Sequence, residues 1–278
     1  MEISKNWWIN GERGQQLPAD NRGLAYGDGL FETMRLIDND IPLLNYHLTR
    51  LENGASRLGL LLDSNKLNSF LTQTISAAGP GQNVLKLVCV RSGAAYGYQS
   101  GSSNVDILLR VSPLTTDSSP FEPAAQVCAT QLACQPALAG IKHLNRLEQV
   151  LAARELAPDI SEGILLDTNN NLIEAISSNL VLVSGSIWVY PDLSESGVEG
   201  VMQSYLRDQA DQLGVSVETD RVSRGQLARF DEILLTNAVR GVRNLGKIAH
   251  EWVAGSQTAG NRARDYLLSR LHTGFHSF

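Results

Sequence analysis

The stretch AGIKHLNRLEQVLAARE, residues 139–155, sets a lone lysine, Lys142, between Ile141 and His143 just ahead of an amphipathic run. From Leu144 the apolar residues Leu147, Val150 and Leu151 recur at helical spacing, while Asn145, Arg146, Glu148 and Gln149 fall mostly on other faces. That pattern predicts a helix with its apolar side turned to a core, with Lys142 at its entrance. Lysine is seldom buried, so by residue type alone Lys142 is a surface group in a strand-to-helix turn. Another role has to come from the rest of the chain.

The chain has 278 residues, 43% hydrophobic and 19% charged, enough for two domains of a soluble globular protein. A formal charge of −6 and a pI near 5.4, with no basic run interleaved with aromatics, argue against a nucleic-acid binder and for small-molecule chemistry. The first residues, MEISKNWWINGERG, carry no apolar core of signal-peptide length, and runs such as LGLLL are too short to span a bilayer. A cytoplasmic location follows as the expectation, with no membrane partner. Cys89, Cys128 and Cys134 are odd in number and lack CxxC spacing, which fits reduced, mostly buried thiols and no metal site.

Residues 7–13 read as a strand entering a turn at Asn10–Gly11, and a second strand runs from about Leu30 to Ile37 after YGDG. A turn at Asp38–Asp40 leads to a helix in LLNYHLTRLENGASRLGL, with Leu44, Leu48, Leu51, Ala55 and Leu58 on one stripe. A second helix, in LNSFLTQTISAAG, precedes two strands, VLKLVCVRS and VDILLRVSPL. SPLTTDSSPFEP is rich in Ser, Thr and Pro without apolar period, and gives an N-terminal domain 1–114, a linker 115–123 and a C-terminal domain 124–278. Beyond it GILLD, LIEAISSNLVLV and IWVYP read as a meander, followed by a helix from Val201 to Leu213, a strand in DEILLTNA and a final helix in AGNRARDYLLSRLH.

Glu174 is an acid inside a stretch that otherwise reads as a buried strand. An enclosed carboxylate costs several kcal/mol without a partner, so something cationic should face it, unless strand alternation turns it to solvent. Gly197 and Gly200 lead directly into the helix at Val201, and bare N–H groups at the positive end of a helix dipole receive phosphate well. Arg50 in HLTRL, and Thr236 with Asn237 at the end of EILLTNA, are further candidates for an anion site. A lysine, a buried carboxylate, a helix-terminus anion site and an arginine are together what pyridoxal 5′-phosphate requires: an amine for its aldehyde, an acid for its ring nitrogen, and donors for its phosphate.

In order and local context these motifs, RGLAYGDGLFETMR, HLTRL, GIKHLNRLEQVLA, EAISSNL, GVEGVM and TNAVRGV, resemble the fold-type IV pyridoxal-phosphate enzymes over essentially the full chain. That family holds branched-chain and D-amino-acid aminotransferases and aminodeoxychorismate lyase. The resemblance implies two α/β (α+β) domains with the cofactor in the cleft between them, and a homodimer. It also implies that Lys142 is the Schiff-base lysine, that Glu174 partners the pyridine nitrogen, and that Arg50, Val201, Met202, Thr236 and Asn237 surround the phosphate. Asn179, in SSNL, then helps order the cofactor face.

Within the family, LNRLEQVLA after the lysine and a hydroxyl at Thr33 resemble the lyases. The aminotransferases carry glycine or an aliphatic residue at that place. The implied activity is conversion of 4-amino-4-deoxychorismate to p-aminobenzoate and pyruvate, a step in making folate, with Lys142 and Thr33 catalytic; the alternative is an aminotransferase acting on D- or branched-chain amino acids. One departure stands out. Where such lyases show a Gly-Arg-Gly-Tyr run, this chain reads RSGAAYGYQS with Tyr96 at the arginine's place, leaving Arg35, Arg91, Arg240 or Arg243 to bind the substrate's carboxylates. His47 and His143 read as packing or solvent-facing groups outside the catalytic set.

Overall fold

Strand alternation and turn chemistry build the first sheet. In the computed structural model, which describes residues 7–14, 16–94, 97–114 and 124–271, Asn10 (φ 52°) and Gly11 (φ 82°) both take the left-handed backbone of a tight hairpin turn between β1 (Trp7–Ile9) and β2 (Glu12–Arg13). A short helix α1 (Arg22–Tyr26), capped by Asn21, precedes β3 (Gly29–Ile37). Asp38 and Asn39, at φ 46° and 72°, form the predicted turn. Then come the helices α2 (Leu44–Leu58) and α3 (Ser64–Ala78) and the strands β4 (Gln82–Arg91) and β5 (Val105–Pro113). The sheet order is β2-β1-β5-β4-β3, all antiparallel, with Thr33 opposite Lys86 and Lys86 opposite Arg110.

The chain divides into two compact units, Met1–Thr115 with Ile141–Asn145, and Thr116–Gly140 with Arg146–Phe278. Lys142 therefore counts with the first unit, whereas the sequence assigned everything from 124 onward to the second domain. The reason is a free sheet edge. Phe31 N donates to Lys142 O (2.9 Å), Leu144 N donates to Gly29 O (3.0 Å), and Leu30 bridges His143, so 141–145 extends the open side of β3. The expected linker 115–123 lies outside the described residues, as does Tyr96.

Helix α2 corrects the predicted stripe. Leu51 and Ala55 are buried, but His47 and Gly54 complete the covered face while Leu44, Leu48 and Leu58 are only half-buried. His47 turns inward because a carboxylate on β3 receives it, and Gly54 because a Cβ there would press on Leu30 at 3.0 Å.

The second unit is a larger mixed sheet. It holds β6 (Ala124–Val127), α4 (Leu147–Ala153), β7 (Glu162–Leu166), β8 (Leu172–Ala175), β9 (Asn179–Ser184), β10 (Ile187–Pro191), α5 (Val201–Asp208), α6 (Ala210–Leu213) and β11 (Ser216–Asp220). After these come β12 (Glu232–Asn237), β13 (Gly241–Asn244), β14 (Lys247–Ile248), β15 (Trp252–Val253) and α7 (Thr258–Arg270). The strands run β11-β10-β9-β8-β7-β6-β14-β15, with β12 pairing β9 and β13. The helix expected over 201–213 is two, broken at Gln209. Ile164, Leu180, Leu182, Ile233 and Leu235 anchor the core.

Helix α4 overturns the reading of its apolar face. Leu147 (76%), Val150 (53%) and Leu151 (49%) are exposed, and the residues turned inward are Gln149 and Ala152. Ala152 fits closely against Cys128, Leu132, Leu165 and Ile173, and Gln149, three residues earlier on the same face, reaches a buried acid. A polar bond and a small side chain decide the orientation.

Candidate active site

In the first unit, alternation along β3 places Phe31 and Thr33 on one face and Glu32 on the other. Lys142 Nζ lies 4.5 Å from the Phe31 ring centroid, and Lys86 Nζ lies 3.6 Å from the same centroid and donates to Thr33 Oγ1 at 3.4 Å. Lys142, expected to be catalytic, and a second amine, Lys86, thus both approach one aromatic ring, and Lys86 also reaches the hydroxyl of Thr33, the other expected catalytic residue. Burial brings Lys86 down to about 8, against the pull of Glu32 and with the help of Arg110. Sequence reasoning missed Lys86. Its signal was a single cation in the apolar run VLKLVCV, legible only once register sets it opposite Thr33.

On the other face, Glu32 is 1% exposed and bonded three ways. Arg50 donates through Nε (2.8 Å to Oε1) and Nη2 (2.5 Å to Oε2), and His47 Nδ1 bonds Oε2 at 2.6 Å. Arg50 thus has a fixed orientation rather than the solvated one typical of a helix arginine. His47 is fully buried, which removes the solvent-facing option left by the sequence.

The other arginines divide clearly. Arg91 bonds Asp28 (2.9 Å) and the carbonyls of Leu58, Gly59 and Ser102, a structural clamp shared with Arg22. Arg35 is fully buried and donates to Gln82 (2.7 Å). In the second unit, Arg243 faces the buried Glu162 at 3.6 Å, and burial lowers both Arg240 and Arg243.

In the second unit, strand register brings three of the expected residues, Glu174, Asn179 and Thr236, together. Glu174 (5% exposed) is enclosed, not turned to solvent: Val198 N donates to its Oε2 (2.8 Å), and Gln149 Nε2 to its Oε1 (3.2 Å). Asn179 lies opposite Glu174 in the β8–β9 register and opposite Thr236 in the β9–β12 register, and its Nδ2 donates to Val198 O (2.7 Å). Gln149 was missed by the sequence because it was assigned to an outer face. Two residues past Val198, Gly200 is the N-cap of α5, with no side chain capping the helix, and Val201 and Met202 follow, both buried. Asn237 is used differently: its Oδ1 accepts from Val239 N (3.0 Å) and Arg240 N (2.7 Å), and its Nδ2 reaches Ser178 Oγ (3.2 Å), so its side chain shapes a turn.

Whether these residues suit pyridoxal phosphate can be tested on two features. Thr236 Oγ1 is buried with no hydrogen-bond partner among the described residues, and Thr236 pairs with Asn179, whose side chain packs against Gly200 at the uncapped start of α5. A Cβ on Gly200 would meet Asn179 Oδ1 at 1.9 Å, so the backbone there is kept bare and closely approached. An orphaned hydroxyl and helix N–H groups that no side chain caps are donors suited to an anion, and the enclosed Glu174 suits a ring nitrogen that must stay protonated. The residues fit the group. Among the described residues no cluster of His, Cys, Asp and Glu is placed to hold a metal ion, and no helix is long and apolar enough to cross a membrane.

Comparison with known proteins agrees with this chemistry. The amino-transferase class IV family model matches residues 29–248. The crystal structure of 4-amino-4-deoxychorismate lyase from Pseudomonas aeruginosa superposes with a TM-score of 0.85 at 37% identity, covering 95% of this chain and 99% of that one. Aminodeoxychorismate lyase of Vibrio harveyi is 28% identical over 257 residues, 87% of this chain and 91% of the relative. The branched-chain amino acid aminotransferase of Escherichia coli, at 19% identity, a TM-score of 0.81 and coverage of 95% and 94%, shares the fold. The mixed α/β, two-domain architecture expected from the motifs is therefore the architecture present, and the chain belongs to the amino-transferase class IV family.

Proposed function

We propose that the protein is a pyridoxal-phosphate-dependent aminodeoxychorismate lyase, converting 4-amino-4-deoxychorismate to p-aminobenzoate and pyruvate. The observation that carries this reading is the approach of Lys142 and Lys86 to Phe31, with Lys86 also reaching the Thr33 hydroxyl. Proton removal needs one amine. Expulsion of an ether oxygen from an anionic substrate calls for a hydroxyl and a second cation as well, and both are present.

Glu174 keeps the ring nitrogen protonated, and Asn179 holds the Val198 backbone on which Glu174 rests. Arg50, Thr236 and the N–H groups of Val201 and Met202 hold the phosphate, and Asn237 supports them through its turn. When bound, the cofactor draws electron density from the carbon that carries the substrate amine. Lys142 takes the proton from that carbon. Thr33 hydrogen-bonds the neighbouring ether oxygen, which departs with the C–O electron pair and takes up the proton held by Lys142, leaving as the enol form of pyruvate with Lys142 again neutral, while the C–H pair completes the aromatic ring. Lys86, ionised below about pH 8, binds a substrate carboxylate. We further propose a cytoplasmic homodimer. The exposed Leu147, Val150 and Leu151 offer apolar surface for a second copy, and mass measurement in solution tests it.

The deciding experiment supplies purified protein with aminodeoxychorismate and no keto acid. Catalytic release of p-aminobenzoate and pyruvate supports the lyase. Turnover only when an amino acid and a 2-oxo acid are supplied together would replace it with the aminotransferase reading, and Lys142→Ala with full activity would remove both.

A further inference from the structure

Glu32 has no part in the chemistry above, yet it is a fully enclosed acid on the strand that carries Phe31 and Thr33. A buried ion pair is a weak device for stabilising a fold, since well-packed apolar residues commonly serve as well or better. What the pair does supply is direction. A guanidinium has five N–H donors in a rigid plane, and the two bonds through Nε (2.8 Å) and Nη2 (2.5 Å) to the two oxygens of one carboxylate fix that plane. Unpaired, the side chain would sample many rotamers and lose entropy on meeting an anion. His47 completes the arrangement. Its Nδ1 bonds Glu32 Oε2 at 2.6 Å, it is fully buried, and its Nε2 has no hydrogen-bond partner among the described residues, so it acts as a fixed prop behind the carboxylate.

We propose that Glu32 is a positioning residue, which with His47 behind it holds Arg50 in the orientation that receives the cofactor's phosphate. This rests on Arg50 being a phosphate ligand, as given above. The alternative is that Arg50 only neutralises Glu32.

The two are separated by comparing ligands with and without the phosphate. Full-length protein stripped of cofactor is titrated with pyridoxal 5′-phosphate and with pyridoxal, and the ratio of the two dissociation constants is compared across variants. Arg50→Ala should lower the preference for the phosphorylated form by about tenfold or more, the loss expected for one charge-assisted contact. Glu32→Gln should lower it to a similar extent while leaving the pyridoxal constant within about threefold of the parent. Glu32→Asp, which keeps the charge but withdraws it by one methylene, should fall between the parent and Glu32→Gln, and its ratio decides the matter if Glu32→Gln does not fold. Loss of the preference in Arg50→Ala with the parental ratio in the Glu32 variants overturns the proposal. A parental ratio in Arg50→Ala itself shows that the phosphate reading has failed, and the proposal goes with it.

Discussion

Glu174 and Asn179, opposite one another on β8 and β9, hold the same residue from two sides: Val198 N donates to Glu174 at 2.8 Å, and Val198 O accepts from Asn179 Nδ2 at 2.7 Å. The backbone from Gly197 to the start of α5 is thereby tied to the acid proposed for the ring nitrogen. Asn179→Ala leaves a buried carbonyl without its donor, a loss of about 1–3 kcal/mol. The expected result is a lower melting temperature together with weaker cofactor binding, read by the absorbance of bound pyridoxal phosphate. A variant that melts lower but binds the cofactor as tightly as the parent would separate Asn179 from the site.

Gly200→Ala tests the same junction from the other side. The new Cβ would lie 1.9 Å from Asn179 Oδ1, so Asn179 must leave Val198 or α5 must move. A cost of about 1–3 kcal/mol is expected, as for other overpacked positions. Cofactor affinity should fall at least as far as in Asn179→Ala, and the double variant should lose less than the sum because both changes break one bond. Additive losses measured by titration would show that the two positions act separately.

Elements whose pattern follows a single rule were legible in advance. β4 and β5 alternate through their middles, and the turns at Asn10–Gly11 and Asp38–Asn39 carry residues that accept positive φ. Glu174 stood out because an acid amid buried strand residues has to be accounted for. What could not be read was pairing. Lys86 gains meaning only from its register opposite Thr33, and Glu32 only from a helix that returns His47 and Arg50 to it. Helix α4 misled because its three large apolar residues outweigh Gln149 and Ala152 in any periodicity, whereas the bond to Glu174 and the small side chain set its rotation.

Lys86 gives the proposed reaction a pH signature. Burial lowers it to about 8, so the ammonium is present at neutral pH and lost above that value, well before an exposed lysine near 10.5 would titrate. If it binds a substrate carboxylate, KM should rise as pH passes through about 8, with a smaller change in kcat. Lys86→Met should show the raised KM at pH 7 and lose that inflection. An unchanged KM profile in Lys86→Met would remove Lys86 from the substrate site. An inflection that persists in that variant would assign the titration to another group.

Glu32 makes an acid-stability prediction independent of activity. Burial alone would raise its proton affinity, but the Arg50 charge and the hydrogen bonds from His47 and Arg50 outweigh it and bring the group from 4.5 down to about 2. The unfolded chain therefore binds the proton more readily than the folded one. Between these two values the unfolded state carries more protons, so unfolding free energy falls as pH falls. The contribution is complete above about pH 4.5 and is lost on the way to pH 2, and the shift amounts to roughly 3 kcal/mol. Glu32→Gln lacks that titration. Its stability deficit against the parent, measured by urea unfolding at a series of pH values, should be greatest near neutrality, begin to close below about pH 4.5, and shrink steadily toward pH 2. Other carboxylates titrate in both proteins and cancel in the difference. A deficit that stays constant from pH 7 to pH 3 would mean that Glu32 binds its proton equally well in the folded and unfolded chain, so that Arg50 and His47 do not hold it ionised, and the fixed plane of Arg50 would lose its anchor.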